Sequence, residues 1–319
     1  MRFLHKKFSR DLIHNYKKYY NIPSHIDITK NMILKHWILE RKLTIKLIKS
    51  NAKNRSQVFR QAYTSLYTEL PFLNKYINEN EDYKKVKKMY YRVWLDLIGK
   101  PLKKILEIGS GRGDLVRYLS KIGHNCIGTE ITDERGKKFH KNNSKVTWIK
   151  SDGIHFDNYL KPKSIDIAIS VQVIEHLHPN DILSHFKGIF SILKKNGKYF
   201  FITPHKYSGP YDISRIFYHI KPKGMHLKEY KYHELKRKLI QAGFKKVYAV
   251  VRIPPKITQL LKIYLNPRLS KFYLYYLIII EKILSFLPNQ KLKLSIKYNL
   301  IILFIPILFY PNIFIAAEK

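Results

Sequence analysis

The chain has 319 residues, of which 45% are hydrophobic, and a formal net charge of +37 at pH 7. This length predicts one large domain with additions, or two domains, and the apolar content is enough for a proper core. A single cysteine, Cys126, excludes a disulfide framework and favours a reducing, cytoplasmic compartment. We expect Cys126 to be a small buried residue of a strand.

The excess of basic residues predicts attraction to polyanions such as nucleic acid, anionic lipid or phosphorylated substrates. Lysine and arginine are spread along the chain, so the charge alone does not select one partner. Residues 1–20 lack the continuous apolar stretch of a secretory signal. Residues 298–317 carry no charge over the length of a membrane span, but Pro306 and Pro311 interrupt them, so we do not expect a span.

Residues 1–100 are predicted to form an N-terminal helical region. Apolar side chains recur at helical spacing over residues 30–49, between Asn54 and Pro71, and over residues 83–97. Stripes of this kind usually face a core, so we expect a packing layer rather than a cofactor or partner site.

Beyond residue 100, strands and helices alternate, which favours a parallel sheet with helices on both faces. Residues 254–310 interrupt the alternation with apolar and basic helices, including Phe272 to Leu287, and residues 311–319 end the chain as a short strand. The predicted strands are 103–108, 125–130, 146–151, 165–171, 197–203 and 246–252, and the predicted helices are 114–122, 132–142, 180–195 and 231–242.

The most informative motif lies at residues 105–115, Ile-Leu-Glu-Ile-Gly-Ser-Gly-Arg-Gly-Asp-Leu. An apolar run typical of a buried strand ends at Gly109, Gly111 and Gly113, and a helical pattern follows. Glycine permits a tight turn there and lets a ligand approach closely. The pattern Glu-x-Gly-x-Gly-x-Gly resembles motif I of the class I S-adenosylmethionine (AdoMet)-dependent methyltransferases. A nicotinamide site is less favoured, because the chain has no Gly-x-Gly-x-x-Gly.

The resemblance implies an α/β fold with a Rossmann-like sheet of seven strands, the last one antiparallel. Residues 101–253 would then form the AdoMet-binding core and residues 311–319 its final strand. Residues 254–310 would be an apolar, basic helical insertion between the sixth and seventh strands.

Open α/β sheets bind their ligands beyond the carboxyl ends of the strands. The resemblance assigns the glycine loop, including Ser110, to the aminocarboxypropyl end of AdoMet. It also implies that Glu107 orients the ammonium group of the cofactor. Glu130 comes about twenty residues after the first glycine, where a carboxylate can accept both ribose hydroxyls.

The next two predicted strands end in further candidates for cofactor binding. After the third strand, Asp152 and Gly153 stand where the family holds the adenine amino group. After the fourth, Val171 and Gln172 would line the sulfonium side.

Two stretches lie where the methyl acceptor would bind, and both resemble the branch that contains ubiquinone-type O-methyltransferases. The first, residues 172–176, carries Glu-His after the fourth strand. The second begins at Thr203-Pro-His205, where His205 replaces the Asn of that branch, and continues to His226. We predict His226 as the general base and His205 as a second catalytic residue, since imidazole titrates near neutral pH. The alternative for His226 is a loop histidine bonded to backbone.

A divalent ion, Mg²⁺ among them, is a further hypothesis. Ribose methyltransferases that act on small-RNA 3′ ends bind such an ion through Glu-x-x-Glu-His and a later histidine. The matching positions are Gln172, Glu175, His176 and His226. Because Gln172 replaces a carboxylate, the affinity should fall, and Glu175 with His176 can instead shape the cofactor pocket.

The leading hypothesis is an AdoMet-dependent O-methyltransferase of a small, lipid-like or glycan-precursor acceptor. Residues 254–310 would serve as a lid or make peripheral contact with an anionic membrane, at its inner face in the cytoplasm. The alternatives are a metal-assisted RNA ribose methyltransferase and a non-catalytic binding protein that keeps the fold. Nucleic acid is the less favoured partner because no RRM or KH motif is recognisable.

Overall fold

The computed structural model describes residues 12–139, 145–253, 264–288 and 312–319. Residues 12–19 are helical. The other helices of the N-terminal layer are α1 (Lys30–Lys49), α2 (Arg55–Glu69), α3 (Phe72–Lys75) and α4 (Glu81–Ile98). The three helices predicted here are therefore confirmed. The Thr29 hydroxyl begins α1 by accepting the Met32 N–H, and α2 ends two residues before Pro71.

The rest of the described chain is a sheet with flanking helices. The strands are β1 (Lys104–Ile108), β2 (Asn125–Glu130), β3 (Val146–Lys150), β4 (Ile165–Val171), β5 (Leu193–Pro204), β6 (Lys246–Val251), β7 (Arg268–Ser270) and β8 (Asn312–Glu318). The helices are α5 (Asp114–Lys121), α6 (Ile182–Ile192), α7 (Tyr232–Gln241) and α8 (Lys271–Ser285).

The strand order is β3-β2-β1-β4-β5-β8-β6-β7. Strands β1 to β5 are parallel, and β8 runs antiparallel between β5 and β6. The antiparallel final strand is confirmed. The expected count of seven strands is wrong for the described residues, because β7 adds an eighth, antiparallel to β6, inside the predicted insertion. A three-residue edge strand buries too little to leave a clear sequence pattern.

Apolar side chains from both faces of the sheet form the core. Trp94 of α4 is fully buried and contacts Phe200 and Phe314 on one face. Helices α6, α7 and α8 cover the other face. Cys126 is buried on β2, as predicted. A separate cluster joins α1 and α2 to the loop around Met225, which places the N-terminal layer beside the carboxyl ends of the strands.

Two predicted helices differ from the structure. Of the predicted helix 132–142, residues 132–139 form turns and a short 3-10 helix (Gly136–Phe139), and residues 140–144 lie outside the described residues. Gly136 has a left-handed φ of +62° and donates its N–H to the carbonyl of Gly111, which stops a regular helix. The helix predicted over 180–195 ends at Ile192, because β5 begins at Leu193 with an irregular pairing to Ile165.

The insertion is described only over residues 264–288, where α8 confirms the predicted apolar helix. Its remaining parts, 254–263 and 289–310, lie outside the described residues. Of the uncharged segment 298–317, residues 312–317 belong to β8 and pair with β5, and from Ile315 onward they also pair with β6. Among the helices that the structure describes, none has the length and apolar character of a membrane span.

Candidate active site

A cavity of about 480 Å³ opens at the carboxyl ends of β1 to β4. This volume is typical of small-molecule sites. Every residue predicted to bind the cofactor except Gly113 lines it: Glu107, Gly109, Ser110, Gly111, Glu130, Asp152, Gly153, Val171 and Gln172.

The glycine loop leaves β1 with left-handed backbone at all three glycines, whose φ angles are +62°, +60° and +75°. A side chain at Gly109 would also place its Cβ 2.6 Å from Val173, so this position requires glycine for both reasons. Gly113 begins α5 as its N-cap. The loop therefore brings bare backbone and a helix N-terminus to the cavity wall.

Glu107 is buried at the end of β1, and its Oε2 accepts the N–H of Val116 at 2.9 Å. It therefore caps α5 from a neighbouring strand. Burial raises the pKa of Glu107 to about 8, and the charges of Glu130 and Asp114 act in the same direction. A cationic group in the cavity would favour its ionised form. Its contact with the cofactor ammonium stays a prediction.

Glu130 ends β2 and accepts the N–H of Gly111 through Oε1. Burial raises the pKa of Glu130 to about 7, against the opposing charge of Arg135. The carboxylate thus lies at the glycine loop, and its contact with the ribose hydroxyls stays a prediction.

Asp152 lines the cavity, but it also holds its own loop. Its Oδ1 accepts the N–H groups of Ile154 and His155 at 2.9 and 3.1 Å, and its Oδ2 lies 2.8 Å from His155 Nδ1. Burial alone would raise the pKa of Asp152, but these hydrogen bonds lower it below its ordinary value. A role toward the adenine amino group stays a prediction.

A buried chain of hydrogen bonds supports the neighbouring Gly153. His185 Nδ1 donates to the Gly153 carbonyl, so its Nε2 accepts the Tyr199 hydroxyl at 3.1 Å. The Tyr199 oxygen in turn accepts the Ser170 hydroxyl at 2.6 Å. Burial lowers the pKa of His185 to about 4, which keeps it neutral. The sequence reasoning missed this support, because its members are far apart in the chain.

Glu175, His176 and His226 come together beside the cavity, and of these three only His176 lines it. One carboxylate oxygen of Glu175 and one ring nitrogen of each histidine lie within 4.8 Å of one another. Glu175 Oε2 accepts the Thr203 hydroxyl at 2.9 Å, whereas its Oε1 is buried without a partner. An unpartnered buried carboxylate oxygen is costly unless a proton or a ligand binds it, and burial accordingly raises the pKa of Glu175 to about 7.

Both imidazoles are oriented by their Nδ1 atoms. His176 Nδ1 donates to the Met225 carbonyl at 2.9 Å, and His226 Nδ1 donates to Glu229 at 3.1 Å. In a neutral ring this leaves Nε2 as the acceptor, an arrangement that is common for metal-ligating histidines. His176 meets this condition at neutral pH, whereas His226 meets it only after it has lost its second proton.

The pKa values of the two histidines are shifted in opposite directions. Burial and the neighbouring His226 lower the pKa of His176 to about 3. Burial alone would lower the pKa of His226, but its hydrogen bond to Glu229 and the charges of Glu175 and Asp212 raise it to about 9. His226 is therefore protonated at neutral pH unless another cation takes the place of that proton, which argues against a ready general base.

The three donors fit a divalent cation. Two imidazoles and a carboxylate suit Zn²⁺ or Fe²⁺ better than Mg²⁺, which prefers oxygen ligands. The fourth position of the compared pattern, Gln172, lines the cavity with a left-handed φ of +57° and donates its backbone N–H to Ile202. Nothing in this arrangement supports magnesium in particular.

His205 differs from His226 in that both of its ring nitrogens have hydrogen-bond partners. Its Nδ1 accepts the Tyr207 N–H at 3.1 Å, and its Nε2 donates to Glu281 at 2.8 Å. His205 is buried and does not line the cavity. Because both ring nitrogens are engaged in these hydrogen bonds, they give His205 a structural role at the end of β5. Its catalytic role stays a prediction.

The end of the cavity next to His176, which we call the acceptor end, is covered by the N-terminal layer. His36, Glu40 and Tyr63 line it from α1 and α2. Glu40 accepts His36 Nε2 at 2.7 Å and the Met225 N–H at 3.1 Å, which ties α1 to the loop that precedes His226. The expectation of a simple packing layer missed this role. A buried histidine and glutamate four residues apart on α1 were the available signal.

A family model described as a methyltransferase domain matches residues 75–249, which is more than half of the chain. The chain belongs to the class I AdoMet-dependent methyltransferases. Membership of this family supports AdoMet as the cofactor.

Among curated proteins, the mitochondrial ubiquinone biosynthesis O-methyltransferase of Bos taurus is 30% identical over 140 residues, which are 40% of this chain and 37% of that protein. An uncharacterized methyltransferase of Oceanobacillus iheyensis is 25% identical over 119 residues, 37% of this chain and 55% of that protein. The methyltransferase therefore spans only about a third to a half of the length of these relatives.

Two solved methyltransferase structures are similar to this chain. Phosphoethanolamine N-methyltransferase 2 of Haemonchus contortus, in complex with AdoMet, has a TM-score of 0.50 at 18% identity, over 82% of this chain and 60% of that chain. An AdoMet-dependent methyltransferase of Archaeoglobus fulgidus has a TM-score of 0.47 at 25% identity, over 79% and 99%.

Proposed function

We propose that this methyltransferase transfers the methyl group of AdoMet to a hydroxyl oxygen of a small, lipid-like or glycan-precursor acceptor. The observation that carries the proposal is the convergence of Glu175, His176 and His226 beside the cavity. A hydroxyl must lose its proton during methyl transfer. When no cation is bound, Oε1 of Glu175 can receive that proton, because it has no partner and burial raises the pKa of Glu175 to about 7. The name of the Bos taurus relative, an O-methyltransferase, supports the same acceptor atom.

The lining of the acceptor end supports an apolar molecule with few polar groups. Phe59, Leu66 and Met225 contribute apolar surface, whereas Tyr63 presents a buried hydroxyl without a hydrogen-bond partner. Positioning in such a pocket aligns the acceptor oxygen with the sulfonium, which is the main requirement of an in-line displacement.

In this proposal Glu175, His176 and His226 would hold a divalent cation through Glu175 Oε1 and the two Nε2 atoms. When bound, the ion would lower the pKa of the acceptor hydroxyl. Glu229 and the Met225 carbonyl keep both rings in the required tautomer, and Thr203 holds the second oxygen of Glu175. Direct titration of Zn²⁺ or Mn²⁺ into the purified protein should give binding that His226→Ala removes.

The acceptor is tested by transfer of a labelled methyl group from AdoMet into fractionated lysate. We expect label in the lipid or small-molecule fraction, on oxygen by mass spectrometry. His226→Ala and Glu175→Gln should lower the rate by roughly 10²- to 10⁴-fold with AdoMet binding kept, whereas His25→Ala, an exposed histidine, should not. RNase-sensitive label would instead favour the RNA ribose methyltransferase, and label on nitrogen would contradict the proposed acceptor atom.

A further inference from the structure

Helix α8 presents a stripe of large apolar side chains to solvent. Phe272, Tyr275, Ile279, Ile283 and Phe286, which we call the outer face of α8, are between 52% and 90% exposed. At about 100° per residue they fall within an arc of about 80°, so they form one continuous strip. Exposed apolar strips of this kind usually mark an interaction surface.

The opposite face of α8 is firmly packed. Leu274, Leu277 and Leu284 are buried against the sheet side, and α8 contacts β6 and α7. The carboxylate of Glu281, 3% exposed, accepts His205 Nε2, His233 Nδ1 and the N–H of Tyr232. The outer face is therefore held outward by a well-anchored helix and does not result from loose packing.

Basic side chains border the outer face. Lys271 and Lys282 of α8 are exposed, as is Arg237 of the adjacent α7. Lys236 of α7 places its Nζ 3.9 Å from the centre of the Tyr275 ring. The carboxylate of α8, in contrast, points inward. Aromatic and aliphatic side chains beside lysines are the pattern of helices that lie in a membrane interface.

We propose that the outer face of α8 docks on an anionic membrane surface. The basic border matches anionic lipid headgroups, and the net charge of +37 acts in the same direction at longer range. At 15 residues, α8 is about 22 Å long, too short to cross a hydrocarbon core of about 30 Å, so it lies along the surface.

The charges also argue against a second copy of this chain, or nucleic acid, as the partner of the outer face of α8. A two-fold interface between copies of this chain would bring Lys271 and Lys282 toward the same basic residues of the second copy. Nucleic acid would pair with the basic border, but Ile279 and Ile283 offer nothing to phosphates. The docking proposal rests on α8 alone and is independent of the acceptor proposed above.

The test uses the full chain and vesicles of phosphatidylcholine with or without phosphatidylglycerol, at physiological salt. Phe272→Trp keeps the size and character of the side chain. We expect its added fluorescence, relative to the wild type, to be quenched by brominated acyl chains in the anionic vesicles. An absence of quenching would overturn the proposal.

A second variant removes the apolar strip. Phe272→Ser/Ile279→Ser/Phe286→Ser should weaken partitioning into anionic vesicles by at least about tenfold. The matched control is Ile38→Ser/Ile45→Ser, two exposed apolar residues of α1, which should bind as the wild type does.

Three other outcomes decide against membrane docking through the outer face of α8. Equal vesicle binding by the triple variant would mean that charge alone attracts the protein. A dimer in sedimentation that the triple variant dissociates would assign the outer face to a second copy. A large fall in melting temperature of the triple variant would assign it to another segment of the same chain.

Discussion

The cofactor end and the acceptor end of the cavity are built in different ways. At the cofactor end, Gly109, Glu130 and Asp152 each follow the strand that positions them, and parallel strands bring their carboxyl ends to one edge. At the acceptor end, the side chains come from three places: the loop after β4, the loop before α7 and the N-terminal helices. The first end depends on local backbone, the second on contacts between distant segments.

The largest effect is expected from breaking the cofactor end. Gly109→Arg adds a Cβ 2.6 Å from Val173 at a φ of +62°, within the glycine loop. AdoMet binding should fall by at least about a hundredfold, ~2.7 kcal/mol, as measured by calorimetry, and methyl transfer should be lost. Gly99→Ala is the matched control, because Gly99 also has a left-handed φ but open space around it. Native affinity in Gly109→Arg would contradict the position of the cofactor.

A smaller effect is expected from separating the N-terminal layer from the acceptor end. Glu40→Gln cannot accept both His36 Nε2 and the Met225 N–H as a carboxylate does. Hydrogen bonds to charged groups contribute about 1.5–3 kcal/mol, so methyl transfer should slow by about tenfold or more.

The comparison is sharpened by a second measurement on Glu40→Gln. The dissociation constant of AdoMet should stay within about twofold of the wild type, because Glu40 holds the Met225 loop and not a strand end. Lys42→Gln, an exposed residue of the same helix, is the control. Equal losses in AdoMet binding and in rate would show that the two ends are not separable.

The smallest effect is a pH dependence of stability at the cofactor end. Burial raises the pKa of Glu107 to about 8, so the folded protein holds a proton that the unfolded chain releases near the ordinary value of a glutamate. Between these two values the folded state binds more protons, and stability therefore falls as the pH rises.

Thermal unfolding of the cofactor-free protein from pH 5 to pH 8 measures this effect. We expect the melting temperature to decline over this range in the wild type and to decline less in Glu107→Gln. The glutamine keeps an oxygen for the Val116 N–H but cannot ionise. An unchanged slope in the variant would mean that Glu107 does not hold this proton.

Much of the fold could be predicted because its signals are local. The helical stripes before residue 100, the apolar strands and the glycine loop each have a pattern within about twenty residues. The errors lie where tertiary contacts overrule such patterns. Gly136 closes onto Gly111 and replaces a predicted helix, and Leu193 leaves α6 to pair with β4. The edge strand β7 is too short to leave a pattern.

The candidate site shows the same division. Histidine spacing alone could not separate His205 from His226, since both follow β5. The structure separates them by their partners. Glu281 of α8 accepts a hydrogen bond from His205, whereas Glu229 accepts one from His226 and so directs its ring toward Glu175. These acids are 76 and 3 residues away from their histidines, and only the first required the folding of the insertion onto α7.

Sequence by itself determined the class of sheet, the glycine loop and the acids at the strand ends, because each of these signals lies within one strand and the turn that follows it. The tertiary structure decided which histidines meet, what roofs the acceptor end and which face of α8 stays exposed. Those outcomes depend on burial and on hydrogen bonds between residues far apart in the chain, for which no local pattern exists.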